Sequence, residues 1–115
     1  MLPGAYRLRR ERDFQRVYKL GRPVFSNDLN LRFIGNNLEK SRFGFVISHR
    51  ISSKAVARNR LKRQLGETIR KRTGQIKSGF DAVFTAKKMI LHKTFREKEE
   101  IVLNLLRKAK LIKNE

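Results

Sequence analysis

A chain of 115 residues can bury one modest core but not two, so residues 1–115 are expected to form a single domain. The 29 basic against 10 acidic residues leave a formal net charge of +19, which favours nucleic acid as a partner over an anionic membrane. The absence of cysteine excludes disulfides, thiolate zinc sites and a thiol nucleophile, while 39% hydrophobic content with eight phenylalanines argues against a wholly disordered basic tail.

No apolar run of signal-peptide length follows Met1, and no stretch approaches the roughly 20 apolar residues of a membrane span. The expectation is a soluble, cytoplasmic protein. Residues 7–12 (RLRRER) lead into a short amphipathic helix in which Phe14, Val17 and Tyr18 share a face, closed by Gly21 and Pro23. Two uses are open to Phe14 and Tyr18. Aromatics at helical spacing usually pack a core, yet Arg10, Arg16, Lys19 and Arg22 surround this pair, and aromatics among cations also hold unpaired nucleotides.

Residues 29–34 alternate apolar and polar, and residues 43–48 place Phe43, Phe45 and Ile47 on one face, so both read as strands. With Gly35-Asn36-Asn37 as the turn signal, they predict an antiparallel hairpin. Ser52 and Ser53 offer a hydroxyl cap for a helix over 54–72, and Gly74 lies just past its end. Residues 80–86 form a third strand, entered through Ser78-Gly79. From about residue 94, Phe95, Val102, Leu105, Leu106 and Ala109 mark a final amphipathic helix. The order helix, strands, helix, strand, helix predicts an α+β fold, a mixed sheet covered by helices in a two-layer sandwich.

The middle helix has two unlike sides. At about 100° per residue, Ala57, Leu61, Leu65 and Ile69 form one apolar stripe. Asn59, Arg63 and Arg70 lie nearly in line on the opposite side with Arg60 beside them, and Arg58 and Lys62 stack on the border. Glu67 is the only acid in the helix. Like charges at i, i+4 cost about 0.2 to 0.5 kcal/mol per pair, so a helix kept merely soluble would mix signs. A solvated charged face is the plain reading; a polyanion site is favoured, because arginine forks pair with phosphate oxygens and asparagine both donates and accepts.

Signs of protein-borne catalysis are scarce. His49 and His92 are the only histidines, Glu97, Glu99 and Glu100 sit where a helix start attracts acids anyway, and no Gly-x-x-x-x-Gly-Lys loop occurs. The chain is therefore expected to serve any reaction by binding.

The run Ala55-Val56-x-Arg58-Asn59-Arg60-x-Lys62-Arg63 follows a Gly-x-x-x-Ser strand at residues 44–48 and is preceded by Asp13-Phe14-Gln15-Arg16-Val17-Tyr18-x-x-Gly21. Together these resemble the protein subunit of bacterial ribonuclease P over nearly the whole chain. The resemblance implies an α/β sandwich with a left-handed βαβ crossover. It also implies a catalyst made of RNA, which uses Mg²⁺ to remove the 5′ leader of precursor tRNA, with one protein per catalytic RNA and no cofactor on the protein itself. By resemblance, Arg58, Asn59, Arg60, Lys62, Arg63 and Arg70 would bind the catalytic RNA, and Phe14, Tyr18, Arg32, Arg50 and Lys54 the leader. Three departures stand out. Gly66 occupies a place that is commonly basic, the segment 48–54 is one residue longer than is typical, and Arg32 stands where a leader-facing aromatic is often found. An RNA-packing protein, a DNA-binding regulator and an amphipathic membrane binder are the rival classes; only the first explains the charge equally well, and it gives no reason for an aromatic cleft.

Overall fold

The computed structural model describes residues 2–112. Helix α1 spans Glu11–Leu20, α2 Ala55–Lys71 and α3 Phe95–Lys108, with 3₁₀ turns at Gly4–Tyr6 and Lys88–His92. Four strands, β1 (Arg22–Val24), β2 (Leu29–Gly35), β3 (Arg42–Val46) and β4 (Phe80–Ala86), form one mixed sheet in the order β1-β2-β4-β3.

The expected hairpin between the first two long strands does not form. Strand β4 lies between them, antiparallel to β2 with Leu31 opposite Phe84, and parallel to β3 with Phe45 opposite that same Phe84. Alternation defines which face a strand buries but not its neighbour, and β4 is the most apolar of the three, buried on both faces and so suited to the interior of the sheet. Joining parallel β3 to β4 requires a crossover, which α2 supplies. Strand β1 was not foreseen; it is a three-residue edge, and Pro23 is tolerated there because an edge strand can spare one amide.

Period-two alternation sorts the sheet into two faces. Leu29, Leu31, Phe33, Phe43, Ala82, Phe84 and Ala86 pack with Leu61, Leu65 and Ile69 of α2 and with Val102, Leu103, Leu105 and Leu106 of α3. On the other face a smaller cluster joins Leu8, Val17 and Val83, with Phe14, Ile34 and Val46 against it. Helix α1 covers only part of this second face. Its Asp13 flank is tied to the sheet by an ion pair to Arg42 at 3.5 Å and by Arg16 donating to the Gly35 carbonyl at 2.9 Å.

Local signals at the helix ends held in part. Gly21 closes α1 through its amide on the Val17 carbonyl at 2.8 Å, and a Cβ there would stand 2.4 Å from that oxygen, so the position demands glycine. Helix α2 starts at Ala55 with Lys54 as its N-cap and no side-chain cap, so neither serine fills the predicted role. The Ser52 hydroxyl instead accepts the Lys54 amide at 3.3 Å in a turn before the helix. Gly74 lies just past the end of α2, as expected; Arg72 is the C-cap, and the amides of Gln75 and Ile76 both return to its carbonyl. Helix α3 has a full capping box, Thr94 Oγ1 accepting from the Glu97 amide and the Glu97 carboxylate accepting from the Thr94 amide.

Candidate nucleic-acid interface

The apolar stripe of α2 is buried as patterned, with Leu61, Leu65 and Ile69 at most 2% exposed. That burial turns the other side of the helix outward. Asn59, Arg60, Lys62 and Arg63 are all exposed, and none of the three cations has an acidic partner among the described residues. Arg58 is half-buried and donates to the Ser52 carbonyl at 2.9 Å, which ties the connection 47–54 to the first turn of the helix. Arg70 differs from the rest of the row, since its guanidinium grips Glu67 through Nε at 3.0 and 3.1 Å and again through Nη2. The hydrogen bond from Arg70 holds the Glu67 carboxyl down at about 2, well below the ordinary carboxylate range.

Crowding of cations extends beyond α2. Lys98 of α3 donates to Gln64 Oε1 at 2.8 Å, and its pKa is lowered by burial and then by the nearby charge of Arg60. Sequence reasoning missed Lys98, because 34 residues separate it from Gln64 and its own helix reads as an ordinary amphipathic one.

The second sheet face supplies the aromatic part of the site. Val17 of α1 points at the sheet and is fully buried. One flank of the helix, Asp13 and Arg16, is anchored at the Arg42 and Gly35 end, so the opposite flank, carrying Phe14 and Tyr18, looks along the uncovered part of the sheet. Their ring centroids are 6.5 Å apart. Phe14 is half-buried whereas Tyr18 is 37% exposed, so the first ring is both core and surface and the second is mainly surface. Burial, and then the charge of Glu11, raise the Tyr18 phenol above its usual pKa and keep it a neutral donor.

Across that face run two rows of paired residues, Arg32, Val83 and Gly44, then Asn30, Thr85 and Val46. Arg32 therefore shares a face with Phe14 and Tyr18. Arg50 and Lys54 are exposed on the connection that leaves β3 beyond Val46. The arrangement is a shallow cleft with aromatic rings along one wall and Arg32 on its floor, and Phe14 also lines a cavity with Lys62 and Arg63 of α2. Such a surface can hold an unpaired polyanionic strand by base stacking and phosphate pairing together.

At the outer edge of β3 a cavity of about 490 Å³ opens between α2, the N-terminal segment and Phe14. Gly66 is buried at its wall, beside Leu2 and Phe45, so a side chain at this position would enter the cavity and not join the exposed cation row. The commonly basic place is thus inward-facing here.

Residues 2–110 match the family model described as Ribonuclease P. The chain is 38% identical over 106 residues to the ribonuclease P protein component of Alkaliphilus metalliredigens, covering 92% of this chain and 95% of that one. It is 36% identical to the corresponding protein of Pseudanabaena sp., over 97% of each. Among solved structures, the RNase P protein of Thermotoga maritima superposes with a TM-score of 0.82 at 34% identity, covering 89% of this chain and 96% of that one. The Staphylococcus aureus RNase P protein gives a TM-score of 0.87 at 26% identity, over 93% and 97%.

Proposed function

The chain belongs to the ribonuclease P protein family and is the protein component of that RNA-based endoribonuclease, and we propose that it binds both the catalytic RNA and the 5′ leader of precursor tRNA. The observation that carries this reading is the juxtaposition just described: an α2 face on which Arg60, Lys62 and Arg63 are exposed with no acidic partner among the described residues, beside a cleft walled by Phe14 and Tyr18. Arg58, Asn59, Arg60, Lys62 and Arg63 engage the catalytic RNA. Arg70, already gripped by Glu67, contributes less. Phe14, Tyr18, Arg32, Arg50 and Lys54 hold the leader.

Mechanistically the chain acts by charge and by selective binding. Its cations screen repulsion between two RNAs, which lowers the Mg²⁺ concentration the reaction needs. The Mg²⁺ belongs to the RNA, and no step passes through a metal held by this chain. Leader contacts exist in precursor and not in mature tRNA, so the cleft strengthens binding of substrate over product. Stacking in the cleft is worth about 1 to 3 kcal/mol per base, enough to separate the two by an order of magnitude or more. The assembly holds one protein per catalytic RNA and works in the cytoplasm; no helix of the described chain is long and apolar enough to cross a membrane.

The test is single-turnover cleavage of a precursor tRNA by a bacterial ribonuclease P RNA at low millimolar Mg²⁺, with and without the protein. Strong protein-dependent cleavage at the mature 5′ end is expected. A folded, RNA-bound protein that gives no stimulation sinks the reading and favours an RNA-packing role.

A further inference from the structure

We propose that the cavity between α2, the 3₁₀ turn Lys88–His92 and α3 is a lysine-acylation site, at which the amine of Lys98 takes the acyl group of a small acyl phosphate whose phosphate is held by Lys54 and Arg60. The volume of about 330 Å³ lies within the range of roughly 300 to 1,000 Å³ for pockets that take small organic ligands. The cavity is on the side of the sheet covered by α2 and α3, away from Phe14 and Tyr18, and the reaction does not depend on RNA.

Three chemistries meet in its lining. Val56 and Leu91, 77% and 38% exposed, are apolar surface against which a short acyl chain can rest. Lys54 and Arg60 are exposed with no acidic partner among the described residues, so both can pair with phosphate oxygens. Lys98 is half-buried and donates to Gln64 Oε1 at 2.8 Å, so the nucleophile is held in place before the donor arrives. A donor with a phosphate at one end and a short apolar acyl group at the other matches all three.

Position makes this amine reactive. Lys98 stands in the first turn of α3, where the helix dipole opposes a cation, and it shares the cavity with the cations Lys54 and Arg60. Burial, and then the charge of Arg60, lower its pKa, so its neutral fraction exceeds that of an ordinary lysine. Partial desolvation beside another cation is one way a lysine becomes a nucleophile. The neutral Nζ attacks the acyl carbon, and a C–N bond forms as the bond from that carbon to the phosphate oxygen breaks. Phosphate leaves with the electron pair, and the surplus amine proton passes to water. The product is an uncharged amide beside Arg60.

The full chain is treated briefly with acetyl phosphate near neutral pH, and acetylation at each lysine is measured by proteolysis and mass spectrometry. Lys98 should react severalfold faster than Lys19 and Lys108, which are both exposed, and excess inorganic phosphate should slow Lys98 alone. Arg60→Gln should bring Lys98 down to the rate of the other two, and Arg60→Lys should restore most of the lead. If circular dichroism shows Arg60→Gln misfolded, Gln64→Met, which removes the acceptor that holds the amine, replaces it with the same expectation. The uncharged succinimidyl ester of acetic acid should favour Lys98 less than acetyl phosphate does. Lys98 reacting no faster than Lys19 overturns the proposal, as does a lead that survives both excess phosphate and a folded variant. An equal lead with the uncharged ester would mean a reactive amine with no phosphate site, and overturns it as well. RNA takes part in none of these readouts, so precursor cleavage decides the ribonuclease P function separately.

Discussion

The ring of Phe14 rests on the bare backbone of Gly44, so closely that a Cβ at residue 44 would lie 2.6 Å from two of its ring carbons. This contact seats α1 on β3 and aims one wall of the cleft. Gly44→Ala should therefore push the ring outward, at a stability loss of about 1 to 3 kcal/mol for overpacking. Preference for precursor over mature tRNA should fall while affinity for the catalytic RNA is kept. Thermal melts and paired binding titrations check both halves.

Tyr18 allows the cleft to be tested with less disturbance of the core. At 37% exposure its removal leaves only a small void, so Tyr18→Ala should lower stability by less than about 1 kcal/mol. Loss of one stacking partner should weaken precursor binding by about 1 to 3 kcal/mol and leave mature tRNA binding unchanged. Equal weakening of both RNAs would remove Tyr18 from the leader site.

Arg42 and Asp81 form the charged clasp between β3 and β4. Asp81 is fully buried and accepts from Arg42 at 2.9 and 2.8 Å and from Asn36 at 2.9 Å. Removing Arg42 strands a buried carboxylate, whereas Asp81→Asn leaves a guanidinium that already reaches solvent. Arg42→Ala should cost about 3 to 5 kcal/mol and Asp81→Asn distinctly less, as read by urea denaturation. The reverse order would mean that the arginine, not the aspartate, is the group that depends on the pair.

Glu67 restrains Arg70. Glu67→Gln should free the guanidinium for phosphate, raising affinity for the catalytic RNA and steepening the dependence of log K on log salt by about 0.7 to 0.9. The pair also carries a pH signature. Because the folded carboxyl is depressed to about 2, its stabilising contribution is present above the ordinary carboxylate pKa and is lost as pH falls toward 2. A carboxyl-selective NMR titration of Glu67 should show its midpoint near the bottom of that window, and Arg70→Gln should raise it toward the ordinary range.

Much of the candidate site could be read from the chain because it depends on composition and helical period. The apolar stripe Ala57, Leu61, Leu65 and Ile69 has one way to be buried, and burying it turns Asn59, Arg60, Lys62 and Arg63 to solvent whatever the helix packs against. Phe14 and Tyr18 lie four residues apart, so any α1 helix puts them on one flank. What the period of two cannot encode is which strand lies beside which. Strands β2 and β3 are each compatible with several partners, and the choice of β4 as the common neighbour came from its burial on both faces and from the clasp of Arg42, Asp81 and Asn36, residues 39 to 45 apart in sequence. Only that packing brought Lys98 to Gln64 and Leu2 to Gly66 and opened a cavity at the β3 edge. The chain alone determined its charge, its element types and the two faces of α2; tertiary structure decided how those faces meet, because contacts between distant residues depend on shape and burial that no local pattern records.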